Sequence, residues 1–356
     1  MSEPQFATKV AVAASLLLLA VSVPAPTLAS DAPAVVATIG LGPNPEATAF
    51  ALAINPRTNK TYVTPGLEPL GCESHIVSVI DNATNTVLAP ITTGLSPFGV
   101  AVNPKTNKIY VANIGGATCT EAPSNTISVI DGSTDAVVKT ITVDGVGPAF
   151  VAANPKTNKI YVTISGGCCL DGHTVAVIDG STDTVLGYVE VDLNPFVVAV
   201  NPRTNLVYVT HGGLDKITVI DGSTDAVRAT FSIGSEARGI AFDSSGKFVF
   251  IAARNINALA VVDASTNTVA QTITVGLRPH GVAFNPSNGR IYVTNRGRCN
   301  STPGTVSVID SQTRTIVATV QVGTCPRFLD LNPDAGLLYV PNAFSDRSVS
   351  VLLDQQ

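Results

Sequence analysis

One unit recurs seven times along this chain, and that recurrence restricts its fold more than any other feature. Half of the unit reads Val-Ala-Val-Asn-Pro-Lys-Thr-Asn-Lys-Ile-Tyr-Val at 100–111. It returns at 151–162, 198–209 and 282–293, with variants at 52–63, 240–251 and 329–340. The other half reads Ile-Ser-Val-Ile-Asp-Gly-Ser-Thr-Asp at 127–135, and its first Asp recurs as Asp81, Asp131, Asp179, Asp221, Asp263, Asp310 and Asp354. The spacing between these aspartates is 42 to 50 residues.

Alternation and turn chemistry divide each unit into four short strands. Strand A is the Val-Ala-Val stretch, and Asn-Pro-x-Thr-Asn turns it into strand B, Ile-Tyr-Val. A variable loop leads to strand C, Ser-Val-Ile, and Asp-Gly-Ser-Thr-Asp turns into strand D. Asn, Asp, Gly and Pro stand where turns need a fixed or positive φ, or a side-chain bond to the local backbone. Four strands per unit, seven times over, predict an all-β, seven-bladed β-propeller of four-stranded antiparallel blades. Radial repetition leaves such a protein with only short, protected sheet edges. The last unit stops at Val349-Ser350-Val351-Leu352 without a strand D, while Ala34-Val35-Val36-Ala37-Thr38-Ile39 is a strand D with no unit before it. The N-terminal strand is therefore expected to complete the last blade.

Composition agrees and excludes other classes. Charged residues are 13% of the chain, and it holds 29 Gly and 23 Pro, which argues against a helix bundle, a coiled coil or a disordered tail. The net charge is −5, so nucleic acid is not an expected partner.

Ile109-Tyr110-Val111-Ala112-Asn113 and Ile291-Tyr292-Val293-Thr294-Asn295 resemble the Tyr-Val-Thr-Asn repeat of the YVTN family of propellers, as do the flanking Asn-Pro-x-Thr-Asn and Val-Ile-Asp stretches. The resemblance covers essentially all of 34–356 and implies the fold. It implies kinship with exported and surface-layer propellers, and similarity to propeller lactonases and amine-dehydrogenase heavy chains. It carries no catalytic residue across, because the motif is structural. Blade 5 departs from it with Phe250-Ile251-Ala252-Ala253, and in blade 4 His211 replaces the final Asn.

Residues 1–30 read as a signal peptide. Lys9 precedes an apolar run from Val10 to Val23, Pro24 and Pro26 break it, and small residues near Ala29 and Ser30 offer a cleavage point. The run is short for a membrane span, which needs about 20 apolar residues. The mature chain, 31–356, is then expected to be a single propeller, monomeric, without a membrane span, in an extracytoplasmic compartment. Six cysteines in such a chain favour disulfides over metal or redox sites. The expected pairs are Cys299–Cys325, then Cys72–Cys119, with Cys168 and Cys169 as a vicinal pair.

Strand order divides the connections between two faces. A-to-B and C-to-D turns, nearly identical in every blade, form one face; B-to-C and D-to-A loops, which vary, form the other. Binding residues favour variable loops on a rigid scaffold. The long B-to-C loops, in blades 1, 2, 3 and 6, hold five of the six cysteines, and Cys325 lies beside blade 6 on the same face. All four histidines, His75, His173, His211 and His280, fall on this face and are expected to be dispersed and solvated, with only His280 given a further role at the channel mouth.

Strand A lines the central channel of a propeller. The residue five before each turn Asn should therefore stand at its loop-face mouth, and these residues are Phe50, Phe98, Ala149, Phe196, Arg238, His280 and Arg327 (in blade 5 the turn residue is Asp243). An apolar arc from blades 1 to 4 faces a cationic arc from blades 5 to 7, with Arg254 and Arg278 nearby. Phe50, Phe98, Phe196, Arg238, His280 and Arg327 form the candidate ligand site, since an apolar wall with a few convergent polar groups is the usual form of one. Arginines bind carboxylate or phosphate in bidentate fashion, and His280 between two of them should resist protonation. The plainer reading pairs the arginines with loop acids such as Glu236 and Asp330.

Asp-Gly-Ser-Thr-Asp lacks the downstream Glu of a calcium loop, so neither a metal nor another cofactor is expected. Asn82-Ala-Thr84 and Asn300-Ser-Thr302 fit glycosylation acceptors. Three readings of function stay open. One is an exported binding or interaction module, taking a protein partner or a small anionic ligand on the loop face. Another is a lactonase- or lyase-like enzyme with His280 as its acid or base. The last is a subunit of a periplasmic redox complex.

Overall fold

The computed structural model describes residues 33–42, 48–66, 74–116, 123–167, 172–299, 302–344 and 346–354. Within them lie seven antiparallel sheets in a ring, and each repeat forms one blade with strands in the order A-B-C-D. Blade 2 is typical, with Pro97–Asn103, Lys108–Gly115, Pro123–Asp131 and Ala136–Thr142. In blade 1 strand D is split into Thr86–Val87 and Ile91–Thr92, around Pro90, which has no N–H to donate to a ladder. The N-terminal strand Ala34–Gly40 pairs antiparallel with Ser348–Leu353 and completes blade 7. Among the described residues the helical segment is a single 3-10 turn, Arg254–Ile256, and no helix is long and apolar enough to cross a membrane.

Strands B and C are buried on both faces because each blade is sandwiched between two others. The core is accordingly a set of layers between adjacent blades. Tyr110, Ile127 and Val129 of blade 2 meet Val151, Ile160 and Val162 of blade 3 in one such layer, and the pattern recurs between blades 4 and 5 and between 6 and 7. Strand D alternates less strictly and faces solvent. Most strands D carry a β-bulge, leaving Val36, Val138, Leu186 and Val317 exposed at the bulged position. Bulges of this kind twist an outer edge away from pairing with another molecule.

The repeat consensus describes how one blade holds the next. The first Asn of each A-to-B turn caps its own turn, as when Asn103 Oδ1 accepts from Lys105 N. In blades 1 to 3 its amide also reaches the αL asparagine of the following blade, as Asn103 Nδ2 to Asn158 Oδ1 at 2.8 Å. Gly132 sits where a side chain would press on Asn55 and the Asn107 carbonyl, so this close approach requires glycine. The strand-B Lys and Tyr clasp the last Asp of the next blade's C-to-D turn. Lys108 and Tyr110 meet Asp183, each at 2.6 Å, and Lys159 and Tyr161 meet Asp225 at 2.6 and 2.8 Å. Lys60 and Tyr62 do the same with Asp135.

Candidate functional site

The mouth residues stand at the start of strand A, on a second kind of irregularity. Pairing of A with B slips between Pro97 and Val100, and likewise at Pro148/Val151, Pro195/Val198, Ala237/Ile240 and Pro279/Val282. Such a bulge re-aims side chains, and the strand-B Thr of Tyr-Val-Thr holds it in place. Thr163 Oγ1 accepts from Phe150 N at 2.9 Å and donates to the carbonyl of Phe196 in the next blade at 2.8 Å. Thr294 links Gly281 N to the Arg327 carbonyl in the same manner. A side chain at Gly281 would lie 2.7 Å from that carbonyl, so this step from blade 6 to blade 7 admits no Cβ.

The structure gathers the expected apolar arc. Phe50 and Phe98 lie 4.4 Å apart between ring centroids, and Phe196 lies 6.0 Å from Phe98. Two rings outside the expected set join them: Phe150, 5.3 Å from Phe98 and 5.0 Å from Phe196, and Phe328, 4.6 Å from Phe150. Each directly follows a mouth position, and the bulge brings both residues of the pair toward the axis. Two guanidinium groups and a neutral imidazole pack onto these rings. The Arg238 guanidinium lies 4.7 Å from the Phe196 centroid, the Arg327 guanidinium 5.2 Å from that of Phe50, and the His280 ring 4.5 Å from that of Phe328. A desolvated cation–π contact stabilises by about 2 kcal/mol. The mouth is thus a packed plug, with Arg327 6% and His280 2% exposed.

The acids divide differently from expectation. Glu236 pairs with Arg238 and with Arg254, the latter at 3.1 Å. Asp330 does not meet the arginines: its carboxylate accepts from the backbone N–H groups of Ile54 and Leu331, both at 2.9 Å. Burial first, then the charges of Arg327, Arg238, Arg296 and Arg254, hold His280 well below the ordinary histidine range, so its imidazole is neutral. Its Nδ1 is buried with no hydrogen-bond partner among the described residues. Beside the plug opens a cavity of about 330 Å³, lined by Phe98, Phe196, Ser165, Asn194, Glu236 and Arg238 among others.

Two of the four histidines are not solvated. His75 and His173 are exposed, but His280 is in the plug and His211 is fully buried, bonded to the Leu193 carbonyl and to Thr218 Oγ1, both at 2.9 Å. His211 does what the motif's Asn does elsewhere, as when Asn295 Nδ2 donates to Thr305 and Ser307 of its own strand C. Cys299 and Cys325 form a disulfide with Cα atoms 4.6 Å apart, and the Arg296 Nε lies 2.8 and 3.1 Å from the two sulfurs. Cys72, Cys119, Cys168 and Cys169 lie outside the described residues.

Fold and site together define a seven-bladed propeller with a plugged, arginine-rich mouth on its variable face. Residues 200–327 match the family model of the cytochrome D1 heme domain. Among solved structures the chain is similar to hydrazine synthase of Kuenenia stuttgartiensis, with TM-score 0.70 and 20% identity, over 86% of this chain and 95% of that one. Likeness at that level of identity shows the shared fold. No curated protein matches.

A heme site needs a ligating side chain beside a cavity that admits the macrocycle. Neither the mouth cavity nor the central chamber on the turn face is lined by His, Cys, Met or Tyr, and His280 is walled in by Phe50 and Phe328. Among the described residues, those around the channel axis do not fit a heme.

Proposed function

We propose that this chain is an exported, YVTN-type propeller that binds a small organic anion at the loop-face mouth. The observation that carries this reading is the convergence of Arg238, Arg254, Arg296 and Arg327 on one neutral imidazole, in a chain whose net charge is −5. A carboxylate would approach Arg238 through the adjoining cavity, with its apolar part against Phe98 and Phe196. The Cys299–Cys325 disulfide supports an oxidising compartment, and with it the reading of 1–30 as a cleaved leader. The lactonase- or lyase-like alternative would rest on His280, whose burial and weakened basicity keep it from substrate and proton alike.

Thermal shifts with succinate and citrate at constant ionic strength test the reading. A hundredfold excess over Kd stabilises by about 2.7 kcal/mol, or about 4 °C for a chain of this size. The double variant Arg238→Ala, Arg327→Ala should lose that shift, and a variant keeping all of it would refute the anion site.

A second reading, a subunit of an extracytoplasmic redox complex with the cofactor on a protein partner, is supported by the matched segment, because 200–327 contains Arg238, His280 and Arg327. Native mass spectrometry of protein purified from its source would then find a heterocomplex carrying a redox group; a lone monomer would remove this reading.

A further inference from the structure

The opposite, turn-face end of the channel opens into a chamber of about 630 Å³. Its wall repeats a branched apolar residue from blade to blade: Val151, Val198, Ile240, Val282 and Leu329. The strand-A position two before the turn Asn (Asp243 in blade 5) is Ala in six blades, as Ala53, Ala101, Ala152, Ala199, Ala241 and Ala283. Blade 7 places Asp330 there. An acid where the repeat demands a methyl group, next to a row of branched apolar side chains, is a departure that the fold does not need six times out of seven.

Asp330 uses one hydrogen bond on each oxygen, from Ile54 N and from Leu331 N. A carboxylate offers about four acceptor positions, so each oxygen keeps one, and the residue is partly exposed to the chamber. Burial raises its pKa to about 6, against the two backbone hydrogen bonds, which act in the opposite direction. The other charged groups lining the chamber, Arg203 and Asp243, have partners of their own. Arg203 Nε donates to the Ser244 carbonyl at 2.9 Å, and Asp243 accepts from Phe248 N at 2.8 Å.

We propose that this chamber binds a small organic cation, a primary alkylammonium whose N–H groups donate to Asp330 while its apolar body lies against Val151, Val198, Ile240 and Val282. This site is independent of the mouth and of the anion reading. A chamber of this size takes a small ligand, and a charge-assisted hydrogen bond in an apolar setting distinguishes an ammonium from a neutral molecule of the same shape.

The test titrates n-butylammonium and, as its neutral counterpart, n-butanol. Calorimetry and the carbon resonance of the Asp330 carboxyl in the intact protein are the readouts. The expected result is saturable butylammonium binding at millimolar concentration or below, a moving Asp330 resonance, and butanol at least tenfold weaker. Asp330→Asn should weaken butylammonium at least tenfold. Equal affinity for the two probes, a still resonance at concentrations up to 50 times that level, or full affinity in Asp330→Asn would each overturn the proposal. Should Asp330→Asn fail to fold, the resonance in the unaltered protein decides alone, in either direction.

Discussion

The joints between blades 1 and 2, 2 and 3, and 3 and 4 are fastened alike, each by a Lys and a Tyr on one blade holding an Asp of the next. From blade 4 onward the same positions are filled otherwise. Leu206 and Asn267 stand where Lys and Asp belong at the joint of blades 4 and 5, and the Tyr208 hydroxyl is buried with no partner among the described residues. At the joint of 5 and 6 the Arg314 guanidinium instead lies 4.6 Å from the Phe248 ring centroid. At the joint of 6 and 7, Arg290 and Asn288 hold Asp354. In repeat proteins stability is close to a sum over neighbouring units, so the half that keeps the consensus is the well-fastened half. The half that departs from it carries Arg238, His280 and Arg327, and includes the segment 200–327 that matches the cytochrome D1 heme domain model. Consensus maintains the ring; departure from consensus coincides with the proposed anion site.

The largest test of this contrast is at the ring's own closure. Removing residues 34–40 strips blade 7 of its outer strand, and the melting temperature should fall by about 10 °C or more; a variant melting like the parent would mean the ring does not depend on its ends. Asp183→Ala should come next. It strands Lys108 and the buried Tyr110 hydroxyl, whose loss costs about 3 kcal/mol, whereas Asn267→Ala at the unfastened joint should cost about 1 kcal/mol, the strain of placing Ala at a left-handed φ, which Asp183→Ala carries as well. Equal losses in urea titration would erase the distinction.

A third test concerns pH at the joint of blades 7 and 1, where Asp330 bonds Ile54 N. Its pKa of about 6 lies above the ordinary 3.8, so the folded chain holds this proton more tightly than the unfolded one. That contribution, about 1–3 kcal/mol, is complete below pH 4 and is lost as pH rises through 6. Asp330→Asn should flatten the pH 4–6 part of the stability profile relative to the parent, and superimposable profiles would exclude the effect. The smallest expected change is a gain: Leu206→Lys with Asn267→Asp should install a fourth clasp around Tyr208 and add about 1 kcal/mol, read as a rise in the urea midpoint.

Strand order, blade count and ring closure were legible because they rest on local signals: alternation, turn residues and a spare strand at each end. The clasps were not. Asp183 reads from its neighbours as a turn residue, and its partner Tyr110 is 73 positions away in another blade. At the mouth, counting from the turn Asn found Phe50, Phe98 and Phe196 but missed Phe150 and Phe328, because a bulge presents two successive residues where a regular strand presents one. His211 was visible as a replacement for Asn, yet its burial depends on strand C and the D-to-A loop, which counting along strand B does not reveal. Asp330 is near Arg327 in sequence but sits farther along strand A, which carries it to the other end of the channel.

Ring closure also has a temporal consequence. Among the described residues Ala34–Gly40 pairs only with Ser348–Leu353, the most sequence-distant strand pairing there, and contacts of that separation form slowly. Six blades can assemble from local segments as the chain emerges. The first strand of the propeller to be synthesised must then wait, unpaired, until nearly the last residue exists. A nascent chain of this protein therefore presents an open strand for most of its synthesis, and a chaperone that masks short apolar segments would find it there.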